Sequence, residues 1–209
     1  MKSYIIKEIF GPTIQGEGSQ NGKPVKFLRF AGCNRWDGRL ETKGAATCFF
    51  CDTDFRDGTK MTAQEIVQGL DALGPIRHVV LSGGEPTLQI DEALVIALAN
   101  SNYILHLETN GSKPLGALWR YFYHVTVSPK QGRHETKIER AHDLKLLYPP
   151  IRTDITIEEF DMFPTINKFL QPLELGGDFQ KSAAVAVEKL YQFPAWRLSL
   201  QTHKILGVK

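Results

Sequence analysis

A chain of 209 residues with 42% hydrophobic content can bury one substantial core and is short for two large domains. Its 25 Lys and Arg stand against 23 Asp and Glu, interspersed and summing to a formal charge of +2, so charge makes no case for a nucleic-acid partner. No apolar stretch reaches membrane-spanning length, and the opening MKSYIIKEIFGPTIQGEG lacks a secretory pattern, so a cytoplasmic protein without membrane contact is expected.

In chain order, VKFLRFAG (residues 25–32) is the first of seven apolar, β-rich runs. Thr62 with Glu65 three residues later forms a capping box, opening a helix that carries Ile66, Leu70 and Leu73. The run RHVVLSGG (77–84) follows, and Asp91 opens a second helix with Leu94, Val95 and Leu98. YILHLETNG (103–111) precedes a third helix expected from Pro114 through Trp119. After HVTVSPK (124–130) and DLKLLYP (143–149), Thr156 and Glu159 repeat the capping box. KFLQPLE (168–174), an Ala-rich helix over 181–193 and WRLSLQTHK (196–204) complete the chain. The runs are continuous enough in apolar character to read as strands buried on both faces. Alternation of strand and helix implies right-handed βαβ units and one α/β domain with a parallel sheet. GCN, SGGEP, ETNG, SPK and QPLE each follow the apolar part of a strand, and strand carboxyl ends are where parallel α/β folds bind ligands. The five clusters therefore describe one site.

All three cysteines, Cys33, Cys48 and Cys51, fall in one stretch. An odd count argues against a disulfide framework and for metal or redox chemistry. Zinc is one reading, closed by a distant fourth ligand such as His78 or His106. A cubane iron–sulfur cluster is the other; with three thiolates, one iron keeps an open position for a substrate. Phe49 and Phe50 would limit water there, or simply pack in the core. Gly83-Gly84 allows close approach of backbone to a ligand, or makes a tight turn.

Three cysteines followed by a Gly-Gly-Glu after the next strand resemble the radical S-adenosylmethionine superfamily, although the spacing of fourteen and two residues departs from its usual three and two. IFGPTIQGEGSQNGKPVKFLRFAGCN, CDTDF, SGGEPTLQ, ETNGS, VSPK, FLQPLE and WRLSLQTHKILGVK together resemble the 7-carboxy-7-deazaguanine synthases with an expanded cysteine loop. That resemblance implies a truncated, TIM-like barrel of about six parallel strands with few helices. It implies one domain over 1–209, with an N-terminal substrate segment and a C-terminal strand and tail completing the site. The implied cofactors are a [4Fe-4S] cluster on the three cysteines, S-adenosylmethionine and Mg2+; the implied partners are a pterin, a second copy as a homodimer, and a reductant such as flavodoxin or ferredoxin. The implied reaction turns 6-carboxy-tetrahydropterin into 7-carboxy-7-deazaguanine with loss of ammonia. A deoxyadenosyl radical takes hydrogen from C6, the ring contracts, and S-adenosylmethionine is regenerated; the cofactor carries the chemistry and the protein positions the reacting carbon.

For the site, the resemblance implies substrate contacts from Ile14, Gln15, Gly16, Glu17, Arg29, Ser82, His203 and Lys209, the last through its α-carboxylate. Gln15 and Glu17 supply acceptors for an aminopyrimidinone, or lie in a polar surface turn. Arg29, inside an apolar strand, needs an anion, either a substrate carboxylate or a structural Asp or Glu. Phe50, Cys51, Asp52, Gly84, Glu108, Asn110, Ser128, Pro129, Lys130, Gln171, Pro172, Leu173 and Glu174 are implied around S-adenosylmethionine, and Thr53 on magnesium. One neutral hydroxyl holds that ion weakly. His203 could equally be a structural residue on a strand, and Lys209 a frayed end. Two other functions fit part of the pattern: an activase for a glycyl-radical enzyme, and a zinc-stabilised binding module.

Overall fold

The computed structural model of the chain describes residues 2–173 and 179–209. Its frame is a nine-stranded sheet: β1 (Ser3–Ile14), β2 (Pro24–Phe30), β3 (Thr59–Thr62), β4 (His78–Gly83), β5 (Ile104–Thr109), β6 (Phe122–Val127), β7 (Ala141–Tyr148), β8 (Thr165–Pro172) and β9 (Trp196–Leu198). The order across the sheet is β3-β1-β2-β4-β5-β6-β7-β8-β9. From β2 to β9 neighbouring strands are parallel, and β1 pairs antiparallel with both β2 and β3. The seven expected runs all form parallel strands. The twelve-residue β1 and short β3, which the apolar pattern did not reveal, extend the sheet at one edge.

The helices are α1 (Ala63–Asp71), α2 (Glu92–Asn100), α3 (Ile157–Phe160), α4 (Phe179–Gln192) and α5 (Thr202–Leu206). The Thr62–Glu65 box forms reciprocally and starts α1, while Asp91 caps α2 through the Leu94 amide. At the other end of α1, buried Lys26 donates to the carbonyls of Leu70 and Gly74, satisfying acceptors that a helix end leaves open. The segment after Pro114 is a 3-10 turn, Gly116–Tyr121, rather than an α-helix; Gly116 in the left-handed region (φ +51°) sets its start. The fourth expected helix is a single turn, α3. WRLSLQTHK also divides: only Trp196–Leu198 is strand, and Thr202 begins α5 because its amide binds the Gly16 carbonyl at 3.0 Å.

The parallel strands are not apolar on both faces. Leu28, Phe30, Leu81, Leu105, Leu107, Val125, Leu144, Leu146 and Leu170 form the core with Ile66 and Leu70 of α1 and Leu94, Val95 and Leu98 of α2. Alternate residues point the other way and are polar: Arg29, Ser82, Glu108, Ser128, Lys145 and Gln171, one from each of six successive strands or strand ends, all on the wall of one cavity. The sheet curls far enough for the segment after β1 to reach its far side. The Gly18 amide bonds Ser199 Oγ at 3.0 Å, and Ser19 bonds Asp143 of β7. Loop contacts rather than strand pairing close this partial barrel.

Candidate active site

The cavity occupies about 890 Å³ at the carboxyl ends of the parallel strands. Cys33, Cys48 and Cys51 line it, and so do Ile14, Gln15, Glu17, Arg29, Ser82, His203 and Lys209. Phe50, Asp52, Thr53, Gly84, Glu108, Asn110, Ser128, Lys130, Gln171, Pro172 and Leu173 complete the expected set. Two expected residues are not on the wall. Pro129 is buried. Gly16 is buried too, and its role is packing: a Cβ there would lie 2.0 Å from His203 Nδ1, so Gly16 is what lets α5 approach. Glu174 lies outside the described residues.

The strand-end glycines are fixed by backbone crowding. A Cβ on Gly84 would stand 2.0 Å from the Gly32 carbonyl oxygen, and one on Gly83 (φ +137°) would stand 2.2 Å from that of Phe30. Close approach of the loops after β2 and β4 brings Cys33 beside Gly84. Glu85 is fully buried and faces the frame. It accepts from the Thr87 amide, the Thr109 hydroxyl at 2.7 Å and the Asn110 amide at 2.7 Å, tying β4 to the end of β5.

Cys33 and Cys48 sit in low-dielectric surroundings. Burial pushes Cys33 up, and pushes Cys48 up to about 11 despite the nearby Lys130 charge. Binding to cationic iron is what would make such buried thiols give up their protons. Among the described residues, no three His, Cys, Asp or Glu side chains converge on one point as a single ion demands. A cubane needs no such convergence, since each of its thiolates sits on a different iron. His78 and His106, the candidate zinc ligands, bond each other at 2.8 Å, with His78 at the opposite end of its strand. Three soft donors, a glycine cradle and a polar wall fit a cluster carrying an open coordination position.

Arg29 has the structural anion: its Nε donates to Glu8 of β1 at 2.8 Å. Among the described residues its terminal nitrogens make no hydrogen bond, and the guanidinium stands over the Phe10 ring, 5.5 Å from its centre. Glu8 also receives the Lys209 ammonium, while Thr13 Oγ donates to the Lys209 carbonyl at 2.5 Å, so Lys209 lies across β1 at the cavity wall rather than frayed. His203 stands on α5, not on a strand, and burial holds it below the usual imidazole range.

Lys145 is the chief residue that sequence reading missed. Its ammonium lies between Glu17 and Glu108, bonding the first and standing 3.2 Å from the second. The signal that singled out Arg29, a cation inside an apolar strand, is equally present in DLKLLYP. Lys130, in contrast, turns to Ser128, donating to its carbonyl at 2.8 Å and hydroxyl at 2.7 Å.

Comparison with known proteins agrees with this architecture. A family profile described as "Radical SAM superfamily" matches residues 44–160. A curated 7-carboxy-7-deazaguanine synthase of Bradyrhizobium diazoefficiens is 42% identical over 219 residues, covering 99% of this chain and all of that protein. One of Bordetella pertussis is 41% identical with 99% of each covered. The crystal structure of QueE from Escherichia coli superposes with a TM-score of 0.67 at 25% identity, covering 95% of this chain and 94% of that one. Fold and site thus define a radical S-adenosylmethionine protein with a partial barrel. Within that superfamily, the chain belongs to the 7-carboxy-7-deazaguanine synthase family.

Proposed function

We infer that this chain is a lyase that converts 6-carboxy-5,6,7,8-tetrahydropterin into 7-carboxy-7-deazaguanine with release of ammonia, on the route to queuosine and related 7-deazapurines. The observation that carries this reading is the shared cavity: the three thiols and the Gln15–Glu17–Arg29 wall face one space. When bound, a [4Fe-4S] cluster with S-adenosylmethionine supplies the radical that starts the ring contraction. Cys33, Cys48 and Cys51 would hold the cluster, and Gly84 leaves backbone open to the cofactor's amino-acid moiety.

The remaining work belongs to the wall. Glu8 engages Arg29 through Nε, which leaves the two terminal nitrogens to fork onto a substrate carboxylate. Gln15 and Glu17 present acceptors to the aminopyrimidinone edge. The barrel walls hold the ring fixed and keep water from the reacting carbon. Thr53 is our choice for the protein ligand of a magnesium ion held mostly by substrate oxygens and water. A homodimer, a flavodoxin- or ferredoxin-like electron donor and a cytoplasmic location complete the reading; no helix among the described residues is long and apolar enough to cross a membrane.

The test is anaerobic incubation of the reconstituted protein with the carboxy-tetrahydropterin, a reductant and S-adenosylmethionine. The carboxy-deazapurine is expected, with S-adenosylmethionine undiminished. Stoichiometric consumption of S-adenosylmethionine without that product would point to the activase alternative.

A further inference from the structure

Lys145 is 4% exposed in an inward-facing position of β7, and nothing in the reading above requires a cation there. Its ammonium joins Glu17, from the loop after β1, to Glu108 at the end of β5. The other oxygens of these carboxylates are also held, Gln171 and Gln201 donating to Glu17 Oε1 at 3.1 and 2.7 Å and Gln15 to Glu108 Oε1 at 3.0 Å, while Glu17 Oε2, bonded by Lys145, keeps a second lone pair for a ligand. Two carboxylates and one ammonium out of water are costly unless each partner remains in place. Removing the cation would leave two adjacent carboxyls that cannot both stay ionised.

We propose that Lys145 is the specificity-determining residue of the substrate wall: by lying between Glu17 and Glu108 it keeps Glu17 an acceptor, so that the cavity selects a 2-amino-4-oxo pteridine edge over a 2,4-dioxo edge. This rests on the reading that a pterin occupies the cavity. An ionised carboxylate only accepts hydrogen bonds, and a protonated one donates. The amino edge offers N–H donors at the 2-position, whereas the dioxo edge puts a carbonyl oxygen there. The electrostatics agree. Burial pushes Glu17 up, but the Lys145 charge and hydrogen bond prevail and bring it down to about 2. Burial pushes Glu108 up and is the larger influence there, opposed by Lys145. The other titratable groups facing this triad are Lys130 and His203, and neither bonds the carboxylates.

Binding tests this without turnover. Equilibrium dialysis of the anaerobic, cluster-loaded protein would compare 2-amino-4-oxopteridine-6-carboxylate with its 2,4-dioxo counterpart. Wild type should prefer the amino compound. Lys145→Met should lower that preference at least tenfold, and Lys145→Arg should restore most of it. Lys145→Gln, which keeps a donor in a neutral side chain, is the second variant should the Met variant fold poorly, and the same loss is expected. Infrared spectra of the neutral variants should show a stronger protonated-carboxyl band than wild type at the same pH. Equal weakening of both ligands, or an unchanged preference, would overturn the proposal and leave Lys145 a packing residue. Wild type that binds neither ligand would instead overturn the pterin reading, and this inference with it.

Discussion

Glu85 and Arg29 show how a conspicuous residue is assigned once its partners are known. In SGGEP the carboxylate would be an easy choice as a cofactor ligand, yet it accepts hydrogen bonds from Thr87, Thr109 and Asn110 at zero exposure. Its work is to hold two strand ends in register beneath the cavity. Replacing it with Ala leaves a buried amide and hydroxyl without acceptors, each costing about 1–3 kcal/mol. Glu85→Ala should therefore lose roughly 2–4 kcal/mol in urea unfolding, with Glu85→Gln losing less because one oxygen remains. A variant as stable as wild type would return Glu85 to the ligand side. Arg29 shows the complementary case. A cation in an apolar run signalled the need for an anion, but not that Glu8 stood opposite it in the register of β1 and β2. Lys145 carried the same signal. Its partners come from residues 17 and 108, far apart in the chain, and no local pattern joins them.

At the scale of elements, legibility followed burial. Every parallel strand was readable because each packs an apolar face on the core. β1 was not, because it lies toward the sheet edge, carries Lys7 and Glu8 mid-strand, and shifts register at Ile6/Glu8 and Phe10/Thr13. Missing β1 also concealed Glu8 and the anchoring of Lys209. WRLSLQTHK reads as one apolar run, and the tertiary bond from Thr202 to Gly16 ends the strand within it. The five strand-end clusters did converge, as parallel topology requires, and that was the most informative deduction from sequence. Those loops meet so closely that the Gly84 position tolerates no side chain: the Gly32 carbonyl it would strike is backbone, with no rotamer to yield. Gly84→Ala should force the loops after β2 and β4 apart, so that reconstituted protein takes up less than half the wild-type iron. Full iron incorporation with native absorption would show that these loops can separate without disturbing the cysteines.

Across the whole molecule, the barrel interior is stratified. Glu108, Thr126 and Lys145 sit toward the cavity; one layer down the same strands present His106, His124 and Asp143. His78, His106, His124 and His142 run in a row across β4 to β7, with successive ring centres 5.1, 6.0 and 5.2 Å apart and Trp119 stacked on the last. Lys23 and Arg140 add positive charge around the row, and Asp143 stands 3.2 Å from His124. Burial, followed by the neighbouring His78 and His124, brings His106 down from 6.5 to about 3. Burial likewise lowers His78 and His142. A histidine whose folded pKa is depressed takes its proton in the unfolded chain first. Its neutral form therefore supports the fold fully above pH 6.5, and that support drains as pH falls toward 3. The limiting slope is about 1.4 kcal/mol per pH unit for one such group, and exposure of the outer histidines reduces their share. Against the pull of burial, Lys145 holds Glu17 below the usual carboxylate range, and hydrogen bonds, among them those from the Ser19 amide and the Asn167 side chain, hold Asp143 below it. They add acid sensitivity below roughly pH 5, where unfolded carboxylates begin to protonate. Between pH 6.5 and 4.5 the loss is therefore led by His106, joined by the other lowered histidines including His203, and partly offset by Glu108, whose raised carboxyl takes its proton in the folded chain first. Urea unfolding should show wild type losing about 1–2 kcal/mol across that interval, and His106→Asn losing distinctly less, because Asn carries no proton to be taken up. Parallel losses in the two proteins would place the acid-sensitive group outside this layer.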